Sequence, residues 1–128
     1  MEPLRLFRLL ILADAALTVA AGVVGAFGAE PATDSPEPGL LLLLLGLVGL
    51  VLWIAALIGL WRLRPWARPL YVGATGFGLA LYLIPPYYPG SILDDFFSGL
   101  TWVGAGALLA LMYYSPVDAS FRSGAVAA

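Results

Sequence analysis

Asp14 is the only ionisable side chain deep inside an apolar run of this sequence, and any membrane-embedded chemistry would be built on it. An isolated carboxylate in hydrocarbon costs about 2.5–3.5 kcal/mol on insertion scales. It is therefore protonated, paired, or turned towards a wet cavity. Helical rise gives the depth of its neighbours. Counted from the Arg-bearing end of each apolar run, Asp14 lies ~14 Å deep, Trp53 and Thr75 ~12 Å, and Trp102 ~18 Å. Thr18 follows Asp14 by one turn. Asp14, Thr18, Trp53, Thr75 and Trp102 thus form a candidate intramembrane site for a proton or a ligand.

Two chemistries fit that set. A protonated Asp14 can bind helices together through a hydrogen bond to a neighbour such as Thr18. Alternatively, the carboxylate alternates between a proton and a lipophilic cation, with Trp53 or Trp102 offering a π-face. A water-sized cavity touching Asp14 separates the two, because a dry, helix-packed carboxylate favours the first.

Most other chemistry lacks its residues. The chain holds no Cys and no His, and all six of its basic residues are Arg. Thiol redox, disulfides, thiolate or imidazole metal ligation, haem ligation and Schiff-base catalysis have no side chain to use. An intramembrane aspartyl protease needs two embedded acids, and one chain supplies only Asp14. The expectation is a protein that is not an enzyme and takes no cofactor or metal. Gly73-Ala-Thr-Gly-Phe-Gly78 is not a phosphate loop, since its spacing is wrong and no strand pattern precedes it.

The elements that position these residues are apolar and long. Hydrophobic residues make up 62% of the 128-residue chain and charged ones 11%, against roughly 45–50% and 25% in soluble domains. Apolar runs predict helices over about 4–28, 40–61, 66–84 and 92–114, the second spanning ~33 Å against a hydrocarbon core of about 30 Å. The first run exceeds the core of about 7–15 residues usual for a signal peptide and contains Asp14, so it reads as a retained helix. Residues 29–39, with three Pro, cannot continue a helix. Pro85, Pro86 and Pro89 close the third run, with Tyr87 and Tyr88 in an aromatic belt. Ser91 and Asp94 then cap the fourth, where Asp94 and Asp95 favour the helix N-terminus. Ser115-Pro116-Val117-Asp118 offers another cap, giving a short turn through Arg122, and residues 115–128 read as a cytoplasmic tail with a mobile end.

Charge sets the orientation. All six Arg (Arg5, Arg8, Arg62, Arg64, Arg68 and Arg122) fall in the two terminal segments and the central turn. The other two loops carry Glu30, Asp34, Glu37, Asp94 and Asp95 and no base. By the positive-inside rule both termini and the turn are cytoplasmic. Arg62, Arg64 and Arg68 then form a basic rim able to anchor the chain or attract anionic lipid, with Trp61 and Trp66 bracketing it.

Small residues recur at helical spacing. Gly22 and Gly25, Gly46 and Gly49, and Gly76 and Ala80 read as packing seams that let helix backbones approach. Such seams exceed what one small bundle needs, so another copy of the chain or another membrane protein is expected beside it. The lipid bilayer is the other expected partner, and nucleic acid is not one.

Ile11-Leu12-Ala13-Asp14, with four helices and a chain of this length, resembles the small multidrug resistance transporters. That resemblance implies proton-linked cation export through the helix 1 acid. This chain has Asp where that family has Glu, and nothing in residues 66–84 matches the family's helix 3 run of the Ala-Tyr-Ala-Ile-Trp-Ser-Gly type. The strong charge bias also departs from its dual-topology members. The resemblance is an analogy and assigns no family.

The expected fold is an all-α integral membrane protein, a four-transmembrane-helix antiparallel bundle of one domain with both termini inside. The leading functional expectation is a structural or accessory inner-membrane protein acting by helix packing. The alternative is a small proton-coupled transporter or channel for a lipophilic or cationic solute, using Asp14.

Overall fold

The structure is a computed structural model describing residues 2–28, 40–81 and 92–126. Among these residues it is all helical: α1 (Pro3–Gly28), α2 (Leu40–Trp61), α3 (Ala67–Leu81), α4 (Ile92–Tyr114) and α5 (Val117–Val126). Helices α1, α2 and α4 are each long and apolar enough to cross a membrane. The described part of α3 has 15 residues, or ~22 Å of helix, and residues 82–84 of the expected span lie outside the described residues. The acidic loop 29–39, Tyr87, Tyr88 and the Ser91 cap lie outside them too, as does the side chain of Asp94.

The α2–α3 connection shows how the Arg-rich stretch makes a tight turn. The Arg64 N–H donates to Gly59 O at 2.9 Å and the Leu63 N–H to Leu60 O at 3.0 Å. These two bonds are the Schellman closure of a helix C-terminus, which needs a left-handed residue just past the cap. Leu63 takes that place with φ 54°. A non-glycine residue there is strained by roughly 1–2 kcal/mol. The Leu63 side chain packs on the core, which offsets part of that cost. Pro65 follows, where its missing N–H is not needed. The two helices then run back along each other. Gly59 meets Ala67 and Trp66 beside the turn, and Gly49 meets Phe77 farther along.

Helix α2 packs mainly on α3, and α1 mainly on α4, with lighter contacts joining the two pairs. The core gathers at the Arg-bearing end. Phe7, Ile11, Leu57, Leu60, Tyr71, Leu108 and Met112 are buried there together with Val117 and Phe121 of α5. Outside it, Leu40, Leu41, Leu43, Leu44, Leu47 and Val51 of α2 are all exposed, as are Val19 and Val103 on α1 and α4. Water does not tolerate an apolar coat of this extent on a stable monomer, whereas a bilayer solvates it.

The C-terminal segment departs from expectation. Instead of a short turn and a mobile tail, residues 117–126 form α5. The expected cap is present: Ser115 Oγ accepts from the Val117 N–H at 3.1 Å and donates to Leu111 O at 2.6 Å. What extends the helix is its apolar pair, Val117 and Phe121, one turn apart on one face and both buried. The Phe121 ring meets Phe7 edge to face, with centroids 5.8 Å apart, an arrangement worth about 0.5–1.5 kcal/mol beyond its burial.

Candidate functional site

Asp14 sits at the meeting point of all four long helices. It is 1% exposed. Its Oδ2 accepts a hydrogen bond from the Tyr71 hydroxyl of α3 at 3.0 Å. Trp53 of α2 presents its indole N–H towards the same carboxyl group. Thr75, one turn beyond Tyr71, places its hydroxyl beside the phenol oxygen. On the α4 side Gly104 lies against Asp14. A Cβ at that position would stand 3.6 Å from Oδ1, an ordinary contact distance, so α4 covers this oxygen closely.

The set is only half satisfied. Asp14 Oδ1 and Thr18 Oγ1 are buried and have no hydrogen-bond partner among the described residues. A buried polar atom without a partner costs about 1–3 kcal/mol, so two of them side by side require an explanation. Both residues line a cavity of about 280 Å³. Its wall is overwhelmingly apolar, with Trp53, Phe77 and Trp102 supplying ring surface. This volume holds several waters or one small organic molecule.

All five residues of the candidate layer line this one cavity: Asp14 and Thr18 from α1, Trp53 from α2, Thr75 from α3 and Trp102 from α4. Two details differ from expectation. The partner of Asp14 is Tyr71 rather than Thr18, and Tyr71 had no place in the sequence-derived set. The available signal was its position one turn from Thr75 on the same face, together with the need of an embedded Tyr for a hydroxyl partner. Thr101 also lines the cavity but spends its proton on Phe97 O of its own helix at 3.0 Å.

The glycine seams divide. Gly49 packs against the Phe77 ring, whereas a Cβ on Gly22, Gly46 or Gly76 would meet nothing within 4 Å. Ala80 is exposed, and what surrounds Gly25 lies outside the described side chains. Among the described glycines the tightest site is instead Gly59, where a Cβ would stand 2.6 Å from the Ala67 Cβ.

The basic rim divides as well. Arg62 and Arg64 are exposed, as a lipid-facing rim requires. Arg68 is not part of it. Its side chain is only 14% exposed and donates to Asp118 Oδ1 and to Met112 O, each at 2.6 Å. Its guanidinium lies 4.4 Å from the Tyr113 ring centroid and 5.1 Å from that of Phe121. A cation on the last carbonyls of α4 meets the negative end of the helix dipole, and α5 supplies the counter-charge. Arg68 therefore fastens α3 to α4 and α5. Its hydrogen bond to Asp118, helped by Arg122, holds that carboxyl below its ordinary range.

No family model, curated protein or solved structure matches the chain.

Proposed function

We propose that the chain is a four-span protein of the cytoplasmic (inner) membrane, with both termini inside, whose central cavity binds a small, partly apolar cation at Asp14 in competition with a proton. One observation carries this reading: Asp14, a fully buried carboxylate with Oδ1 unpaired among the described residues, is one of the residues lining a cavity of about 280 Å³. A carboxyl group serving only to bind helices would have both oxygens engaged, because any left over costs stability without return. Here Tyr71 holds Oδ2, Trp53 turns its indole N–H to the same carboxyl group, and Oδ1 has no hydrogen-bond partner among the described residues. An ammonium group can donate to Oδ1 and to Thr18 Oγ1 while its apolar part lies on the indole faces. Protonation of Asp14 removes the charge that holds the cation, which couples the two by competition for one site.

The test uses benzylamine as the cation and the whole chain in liposomes. Proton-driven uptake by the native chain, its loss in Asp14→Asn with fold and assembly intact, and weakening by the isosteric Thr18→Val support the proposal. Unchanged uptake in Asp14→Asn, or no uptake by the native chain, overturns it.

A second reading keeps one observation of its own. The open positions at Gly22 and Gly76 suit a structural or accessory role in which a neighbouring helix packs on them. Native mass determination in mild detergent tests it. A stable homo-oligomer or a co-purifying membrane chain supports this role, and a monodisperse monomer removes it.

A further inference from the structure

A second cavity, of about 310 Å³, lies between α1 and α2 near the Arg-bearing end. Ile11, Leu12 and Ala15 form one wall, Leu57 and Ile58 the other, and Trp61 and Arg62 stand at its mouth. It exists because α1 and α2 touch each other only lightly, each being committed to another helix. Leu12 and Ile58 are about half exposed, so the groove is open to the surroundings.

Its mouth is basic. Arg8, one turn before Leu12, lies over the Trp61 ring at 5.5 Å. Neither Arg8 nor Arg62 has an ion pair among the described residues, whereas the nearby acids are already engaged. Glu2 pairs with Arg5, and Asp118 with Arg68 and Arg122. Two unpaired guanidinium groups and an interfacial Trp therefore stand over an apolar slot. From Arg8 to Ala15 the slot is ~10 Å deep along the helix, enough for the upper part of an acyl chain.

We infer that this groove binds one anionic phospholipid, its phosphate on Arg8 and Arg62 and an acyl chain between α1 and α2. The charge complementarity selects an anionic headgroup, and the apolar walls select a lipid. The groove shares only the membrane reading with the proposal for the Asp14 cavity. Each basic residue near a lipid surface is worth about fivefold in affinity.

Delipidated full-length chain in mild detergent is titrated with dioleoyl phosphatidylglycerol or dioleoyl phosphatidylcholine and followed by native mass spectrometry. One phosphatidylglycerol is expected to bind at least about tenfold more tightly than phosphatidylcholine. Arg8→Gln with Arg62→Gln should remove that preference, and Ala15→Phe, which fills the slot, should evict both lipids. Arg122→Gln removes the same charge from an exposed residue of α5 that pairs with Asp118 outside the groove, and should leave retention unchanged. Equal binding of the two lipids, an undiminished preference in the double variant, or an equal loss in Arg122→Gln would overturn the assignment. Failure of the native chain to bind either lipid would overturn it too, while leaving the Asp14 cavity proposal to its own uptake test.

Discussion

The Tyr71 hydroxyl donates to Asp14 Oδ2 at 3.0 Å, joining α1 to α3 across 57 positions of sequence. The two helices make few other contacts, so this bond is a principal tie between the α1–α4 pair and the α2–α3 pair at the depth of the cavity. Hydrogen bonds between membrane helices average about 0.6 kcal/mol and reach ~1.7. A double-mutant cycle on Asp14→Ala and Tyr71→Phe, read by unfolding in detergent, should give a coupling within that range. A coupling indistinguishable from zero would mean that the pair contributes nothing to holding the helices.

Tyr71 also shows where sequence reasoning stops. The rise per residue is fixed, so depth could be counted along each run. That placed Asp14, Trp53, Thr75 and Trp102 in neighbouring layers that meet on one cavity. Counting depth does not give rotation about the helix axis. Tyr71, just past the Arg-rich turn, could be told from an interfacial Tyr only by sharing a face with Thr75. Arg68 was misread for a related reason. The positive-inside rule counts charges and ignores partners, and the partner here is Asp118, 50 positions away. The helical runs themselves were legible because apolar length is a property of composition alone. Helix α5 was not, since its stability comes from Phe7 and Arg68, far away in sequence.

The Arg68–Asp118 pair makes the docking of α5 sensitive to acid. Asp118 is held below its ordinary value of 3.8, first by the Arg68 hydrogen bond. A group whose folded value is depressed stabilises the fold above the unfolded value and loses that contribution as pH falls through the folded one. The thermal midpoint of Asp118→Asn should therefore lie below that of the native chain at neutral pH, and the gap should close as pH falls below 3.8. A gap that stays constant down to that range would show that Asp118 acts through shape and not charge.

Gly59 and Gly76 should respond oppositely to the same substitution. Alanine in a helix interior gains about 1 kcal/mol over glycine. At Gly76 nothing opposes that gain within one chain, so Gly76→Ala should be neutral or stabilising for the monomer. At Gly59 the new methyl would lie 2.6 Å from the Ala67 Cβ and 2.8 Å from the Trp66 ring. The Ala67 atom is attached directly to backbone and cannot swing aside, so the turn must open. Overpacking of this kind costs typically 1–3 kcal/mol, which exceeds the propensity gain. Gly59→Ala should thus lower the unfolding midpoint while Gly76→Ala does not. Destabilisation by Gly76→Ala instead, with loss of a higher-mass species, would point to a neighbouring helix seated on that face.

Phe121 decides whether α5 belongs to the bundle. It is fully buried, edge to face with Phe7 and beside the Arg68 guanidinium. Truncating a buried Phe to Ala costs about 3–5 kcal/mol when the rest of the fold stays in place. A ten-residue helix has little stability of its own. The loss should therefore appear as undocking of α5 and not as global unfolding. Hydrogen exchange should rise across residues 117–126 in Phe121→Ala while α2 and α3 keep their protection. Arg122, 78% exposed, serves as the control. Its replacement by Ala removes one exposed ion pair with Asp118 but leaves Phe121, Val117 and the Arg68 contact in place, and exchange across α5 should barely change. If Arg122→Ala frees the helix as fully as Phe121→Ala, charge and not packing holds α5 against the core.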